Sequence, residues 1–385
     1  MKQVRMAIIG VGGMGEHHCR SLSEVEGVEL VAVCDIDRER LKFVCEKHGV
    51  PGYTDYRAIL EGDVCDAVLI ATPHYAHPPI TIEAFHHGKH VLCEKPLGVY
   101  TEQAEEAIDE HSKHPELVFG IMFQMRTAGI YRKLKDLIDS GEIGTLTRMI
   151  WIDTAWFRSQ AYYDSGGWRA TWSGEGGGVL LNQCPHTLDL LQWLMGMPMR
   201  LCAFCSLGKN HDIEVEDEVT AYMEWENGAT GTFVTTTSEA PGTSRQEITG
   251  TRGKIVVENG EIRFYRNRIP SDEFIETSKD LFGTPEAWKI AVPPAQGEGS
   301  HIELIQNFVN AVLKGEQLVS PGEEGIHSLS LANAMLMSGL QDAWVEFPLD
   351  GSAYKKLLNK LCKNSRYKKK VRKLKDADME ASFHK

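Results

Sequence analysis

Residues 10–15 read Gly10-Val11-Gly12-Gly13-Met14-Gly15, a G-x-G-x-x-G that follows the apolar run Val4–Ile9 and opens a helical stretch over residues 15–25. Alone the pattern says little, because 36 glycines make chance matches common. Between a buried strand and a helix, however, three glycines acquire three tasks. Gly10 makes the tight turn, Gly12 lets the backbone approach a pyrophosphate, and Gly15 lets helix and strand pack closely. The helix N-terminus adds free N–H groups and partial positive charge for the phosphates. Asp35 ends the second apolar strand at residues 29–34, where a carboxylate can bond a ribose diol. Gly10, Gly12, Gly13, Met14, Gly15, Asp35, Ile36 and Arg40 are therefore the expected dinucleotide cradle. The acid at 35 favours NAD, while Arg38 and Arg40 keep NADP open.

The first stretch of chain alternates short apolar runs with helical patterns. Strands are expected at 67–71, His90–Cys93 and 117–122, and helices at Arg38–His48, 79–87 and 101–113. Strands separated by helices mean βαβ units and a parallel sheet. A helix is read at 129–140, after which strands at 146–157, 201–207, 219–225, 229–236, 244–249, 254–258 and 261–265 succeed one another without helices. That pattern implies a large, mostly antiparallel sheet, with Asn227-Gly228 and Asn259-Gly260 as hairpin turns. Two helical patterns return at His301–Lys314 and 322–342. The expected class is α/β, with a doubly wound Rossmann domain at 1–123, an α+β substrate-binding and oligomerisation domain at 124–350, and a basic tail at 351–385.

Composition narrows the functions. The chain of 385 residues carries a net charge of −13, yet residues 355–375 hold eleven Lys or Arg and no acid, leaving about −24 on the rest. An acidic body argues against general nucleic-acid binding, and the tail is expected to be partly helical and to lie on that body or on a neighbouring subunit. No apolar run is long enough for a membrane helix. Nine scattered cysteines, an odd number, argue against a disulfide framework and for a reducing cytoplasm.

Glu94-Lys95-Pro96 follows the strand His90–Cys93, on the side of a parallel sheet where ligands bind. A lysine there can donate to a carbinol or carbonyl oxygen and stabilise an alkoxide as hydride leaves carbon. Ala71-Thr72-Pro73, His77, Gly88-Lys89-His90-Val91 and Cys93-Glu94-Lys95-Pro96 together resemble the glucose–fructose oxidoreductase and inositol dehydrogenase family, Gfo/Idh/MocA. Gly176-Gly177-Gly178 before Asn182 and His186 resembles that family's Gly-rich turn and Asp-x-x-x-His site. Glu216-Asp217-Glu218, Asn227-Gly228-Ala229 and the run Ile248-Thr249-Gly250-Thr251-Arg252-Gly253 look like its C-terminal sheet, so the resemblance covers about residues 1–350. It implies an NAD(P)-dependent dehydrogenase of polyols, sugars or their derivatives, a dimer or tetramer through the open sheet. Lys95 and His186 would take the catalytic roles, and Thr72, Pro73, His74, His77, Glu94 and Lys95 would join the cofactor site.

Pro185 suits the first turn of a helix, which puts His186 at its start, where the dipole disfavours imidazolium and keeps the ring ready as a base. The departure from the pattern is Asn182, an amide where the family most often has Asp; it can orient a hydroxyl but supplies no charge. Asp189, three residues beyond His186, is read either as an orienter of the ring or as a structural hydrogen bonder. Gln124 and Arg126 are expected at the nicotinamide or substrate edge, with Asn182, Trp168 and Arg169 on the substrate. The aromatics Trp151, Trp156, Phe157, Tyr162, Tyr163 and Trp172 suit carbohydrate C–H faces, and equally a plain core. Cys202-x-x-Cys205 lacks a second pair, and the histidine groups His74/His77 and His86/His87/His90 lack convergent acids, so no metal is expected. Two rivals remain: an NAD-dependent glycosidase working by transient ring oxidation and elimination, and a cofactor-sensing regulator without catalysis.

Overall fold

A computed structural model describes residues 2–293 and 295–372. Six strands, β1 (Val4–Ile9), β2 (Val28–Cys34), β3 (Gly52–Tyr53), β4 (Ala67–Ile70), β5 (His90–Cys93) and β6 (Phe119–Ile121), form an all-parallel sheet in the order 3-2-1-4-5-6. Burial of alternate and adjacent side chains alike explains the continuous apolar runs: Met6, Ala7, Ile8 and Ile9 are all buried because helices cover both faces. The order reverses between β1 and β4, so the loops leaving those two strands open a crevice at their carboxyl ends.

Nine further strands make the second sheet. They are β7 (Leu146–Asp153), β8 (Arg200–Leu207), β9 (Glu216–Glu224), β10 (Thr230–Thr236), β11 (Ser244–Gly250), β12 (Gly253–Glu258), β13 (Glu261–Asn267), β14 (Ala287–Ile290) and β15 (Val345–Glu346). The order is 14-13-12-11-7-10-9-8-15, antiparallel throughout except for the parallel pair β7–β10. Helices Pro185–Met195 and Gly325–Gln341 pack together, and the latter lies on β8. On the opposite face Phe204, Tyr222 and Tyr265 stand exposed among part-buried Ile150, Ile152 and Val234.

Several boundaries differ from expectation for local reasons. The first helix begins at Gly13, inside the glycine loop, and closes in a short 3-10 turn, Leu22–Glu24. Strand β7 stops at Asp153 rather than running to 157, because Trp156 Nε1 folds back to donate to Asp153 Oδ2 at 2.9 Å. Strand β3, the helices Arg57–Leu60 and Ser271–Thr277, and strands β14 and β15 are short or exposed, and their periodicity is too brief to read.

The chain's last described part is helical from Gly351 to Asn364 and buries Tyr354 and Leu358. It then runs extended over acidic residues: Lys370 meets Asp212 at 2.8 Å and Arg372 meets Asp164 at 3.1 Å, while Ser365 bonds Glu214. The end of the basic run, residues 373–375, lies outside the described residues, as does the remainder of the chain. Among the described residues no helix is long and apolar enough to cross a membrane.

Candidate active site

The glycine loop is built for a close approach from outside. A Cβ at Gly15 would sit 1.9 Å from Gly10 O, so this glycine serves the packing of helix on strand, and Gly10 turns with φ +88°. At Gly12 a Cβ would meet no protein atom within 4 Å, so the bareness there serves something other than the fold. Helix Gly13–Ser21 has no side chain capping its N-terminus, which leaves backbone donors for a phosphate. Asp35 accepts the Val11 N–H through Oδ2 (2.9 Å) and the Asp37 N–H through Oδ1 (2.9 Å), fixing the loop against β2. Arg40 donates from Nε to Val11 O (2.8 Å) and from Nη2 to Gly12 O (3.3 Å), so its fork is directed at the loop's carbonyls. Ile36 is 90% exposed, an apolar side chain on the rim of the crevice. These residues fit a dinucleotide.

Across the crevice, β5 delivers Glu94 and Lys95 and the Pro185–Met195 helix delivers His186. Lys95 Nζ donates to the main-chain oxygen of Asn182 at 2.9 Å, which ties the end of the parallel sheet to the short helix Val179–Asn182. Burial lowers the Lys95 pKa; Glu94 and Glu175 act against that, while Arg169 and Arg158 add to it. The His186 pKa lies well below the usual imidazole range because of burial and the Lys95 charge, so the ring is neutral. Its Nδ1 is buried with no hydrogen-bond partner, and the ring meets Phe123 edge-on at 6.1 Å. The Lys95 charge thus bears on a ring 91 positions away in the sequence.

Three expected ligand residues do other work. Arg126 is 1% exposed; its Nε and Nη2 clamp Asp189 at 2.8 and 2.6 Å, and Nη1 bonds Glu324 and Val319 O. With four of its five N–H donors engaged inside the fold, Arg126 locks the 3-10 turn Gln124–Thr127 to the His186 helix. Asp189 is likewise structural, bound by Arg126 and Gln192 rather than by the histidine ring. His77 places Nδ1 2.7 Å from Pro96 O and Nε2 2.7 Å from Thr72 O, so it staples two strand ends together and has no ring nitrogen free for a cofactor. The Glu94 carboxylate faces inward too: Oε1 lies 2.7 Å from His18 Nε2, and Oε2 accepts the Lys95 N–H at 3.1 Å. Burial opposes its charge, but the His18 bond and charge outweigh burial and hold the carboxyl well below the usual range.

The remaining expected residues border the same space. His74 Nδ1 lies 3.3 Å from Glu175 O, and its ring stands edge-on to Trp168 at 5.3 Å. Arg169 lies over Trp168 and Tyr162 at 4.6 and 4.7 Å and donates to the Tyr162 hydroxyl at 3.0 Å. Asn182 Oδ1 accepts from Tyr162 at 2.8 Å and from Gln183 at 2.8 Å. Gln124 is buried with Oε1 unpartnered, and Thr72 leaves a buried Oγ1 unpartnered. Trp151 and Trp172 are buried and belong to the core. Sequence reasoning missed His18, Glu175 and His301. His18 follows the glycine loop by three residues, a local clue; His301, whose ring lies 5.3 Å from His18, arrives from a distant helix and gave none.

A parallel sheet with an open glycine loop at its switch point, facing a half-buried lysine and a neutral histidine, defines a nicotinamide-dependent oxidoreductase. Residues 4–120 match the family described as oxidoreductase family, NAD-binding Rossmann fold, and residues 131–256 match the GFO/IDH/MocA C-terminal domain. The two matches span more than half of the sequence, and the chain belongs to the Gfo/Idh/MocA oxidoreductases. It is 25% identical over 342 residues to myo-inositol 2-dehydrogenase of Thermotoga maritima, covering 86% of this chain and 95% of that one. The scyllo-inositol 2-dehydrogenase (NAD(+)) of Bacillus subtilis is 28% identical over 267 residues, 66% of this chain and 74% of that one. Among solved structures, the WlbA dehydrogenase from Bordetella pertussis, in complex with NADH and UDP-GlcNAcA, is similar with a TM-score of 0.76 and 27% identity, covering 90% of this chain and 100% of that one. Levoglucosan dehydrogenase in complex with NADH and levoglucosan shares the fold at TM-score 0.73 and 22% identity, over 90% of this chain and 100% of that one.

Proposed function

We propose that the protein oxidises a secondary hydroxyl of a sugar, glycoside or polyol to a ketone, with NAD taking the hydride: the alcohol and oxidised NAD give the ketone, NADH and a proton. The observation that carries this reading is the meeting of Lys95 with the Asn182–His186 segment at the mouth of the dinucleotide crevice. Bound along Gly10–Gly15, with Asp35 and Ile36 at the adenosine end, NAD supplies the hydride acceptor.

His186, held neutral, takes the hydroxyl proton, and a base of that kind contributes about 10²–10⁴ in rate. Lys95 polarises the substrate oxygen and stabilises the charge that gathers on it. Asn182, Trp168 and Arg169 supply an amide, an aromatic face and a cation to the substrate side, a combination that suits hydroxyl groups and C–H surfaces together. Inositols, nucleotide-linked sugar acids and anhydrosugars, as named for the relatives, are the first compounds to try. The exposed aromatic face of the second sheet supports assembly of like subunits through it, and the reaction and its cofactor suit the cytoplasm.

The test is NADH formation over inositols, free sugars, sugar acids, anhydrosugars and glycosides, with NAD and NADP in parallel. Net NADH with a ketone product supports the reading. Cleavage of a glycoside without net NADH would replace it with transient oxidation and elimination, and cofactor binding without turnover of any compound would replace it with a sensor.

A further inference from the structure

Glu175 is an acid that none of the steps above uses, and it is 2% exposed beside the site. Both its oxygens accept: Oε2 takes the main-chain N–H of Ala170 at 2.5 Å, and Oε1 takes the side-chain amide of Asn182. Ala170 adopts φ +53°, an unusual conformation for a residue with a Cβ, and that turn aims its N–H at the carboxylate. Donors on both sides fit an ionised carboxylate and leave no acceptor for a protonated one. The same Asn182 whose amide holds Glu175 offers its main-chain oxygen to Lys95 Nζ.

We infer that Glu175 is a positioning residue that, alongside Glu94, keeps the Lys95 ammonium charged, with Asn182 as the bridge between Glu175 and Lys95. The inference rests on the dehydrogenase reading only for the use made of that charge. Several charged groups bear on the Lys95 ammonium. Arg169 and Arg158 bear on the ammonium and disfavour it, as does burial. The rings of His74, His77, His186 and His301 and the thiol of Cys184 also feel Lys95 and are themselves neutral or raised by burial, so they supply no negative charge. Of the two carboxylates that act on Lys95, Glu94 acts more strongly and is itself engaged by His18 and by the Lys95 main-chain N–H, while Glu175 reaches the ammonium through Asn182. Glu175 in turn faces Arg169, with Lys369 of the C-terminal segment and the Glu216 carboxyl nearby. Burial raises its pKa, and Arg169, the Ala170 N–H, the Asn182 amide and Lys95 offset only part of that rise.

The geometry also says where the charge can be moved. Combining Glu175→Gln with Asn182→Asp keeps the hydrogen bond between the two side chains with its direction reversed, and puts the anion on the residue whose carbonyl already touches Lys95. Competitive acetylation of the full-length protein with acetic anhydride across a pH series, with the Lys95 peptide quantified by mass spectrometry and exposed Lys42 as internal reference, reads the Lys95 titration without any substrate. Glu175→Gln is expected to make Lys95 about tenfold more reactive than in the native protein at pH values below its pKa, a downward shift of roughly one unit. The double variant E175Q/N182D is expected to return Lys95 to native reactivity, and because its hydrogen bond survives it serves also if the single variant fails to fold. Unchanged Lys95 titration in a folded E175Q, or a double variant that stays hyper-reactive, would overturn the inference. Absence of polyol turnover would overturn the proposed function instead and leave this result standing.

Discussion

The Lys95 ammonium reaches across the crevice to the main-chain oxygen of Asn182, 2.9 Å away, and so joins the last turn of the nucleotide sheet to the segment that ends in His186. The consequence is a site whose two halves come from different domains and whose alignment depends on a few buried supports.

One such support is the Arg126–Asp189 pair. Removing one member leaves a buried, uncompensated charge, which costs about 3–5 kcal/mol. Arg126→Met should therefore lower stability by that order in urea titration, and Arg126→Met/Asp189→Leu should recover a good part of it. Near-native stability in the single variant would mean that the pair is not buried as described.

Burial pushes the Glu216 carboxyl up to about 7, against the bonds it accepts from Gly178 and Leu180. A carboxyl raised on folding contributes stability that is fully present below its ordinary range, near 4.5, and is lost as pH rises through about 7. Native protein should thus lose stability relative to Glu216→Gln between about pH 4.5 and 7, at up to roughly 1.4 kcal/mol per unit. Parallel pH–stability curves for the two proteins would remove the effect.

Because burial and Lys95 hold His186 below the usual imidazole range, kcat/KM should stay high as pH falls past neutrality and decline only at more acidic values. His186→Asn should abolish that acid limb and cost about 10²–10⁴ in kcat. An acid limb retained in this variant would assign it to another group.

Asp35 holds the glycine loop through the Val11 N–H and, in the proposed binding mode, meets the adenosine ribose. Asp35→Ala should weaken NAD binding, measured by calorimetry, by about tenfold, the size of one charge-assisted hydrogen bond, and should narrow the preference over NADP. Unaltered NAD affinity would place the ribose elsewhere.

Much of this was legible in the chain itself, wherever the constraint is local. The glycine loop states its geometry in six consecutive residues, and Glu94-Lys95-Pro96 follows its strand directly. Pro185 announces the helix that carries His186. What stayed hidden is pairing between distant segments. Arg126 looked like a ligand because a polar residue after a strand end often is one; its partner Asp189 lies 63 positions away and on a helix whose placement depends on the tertiary fold. Glu175 drew no reading from the sequence, and only the turned backbone at Ala170 and the amide of Asn182 reveal that it is enclosed. The basic C-terminal residues were expected to lie on the acidic body or on a neighbouring subunit, but their partners Asp164, Asp212 and Glu214 on the body were not legible.

The most direct test is Lys95→Ala, assayed for NADH formation with whichever hydroxylated substrate the screen yields and for NAD binding by titration. NAD affinity should stay near that of the native protein while turnover falls by about 10²–10⁴. Turnover close to native would contradict the proposed chemistry, because the ammonium at the centre of the site would then take no part in it.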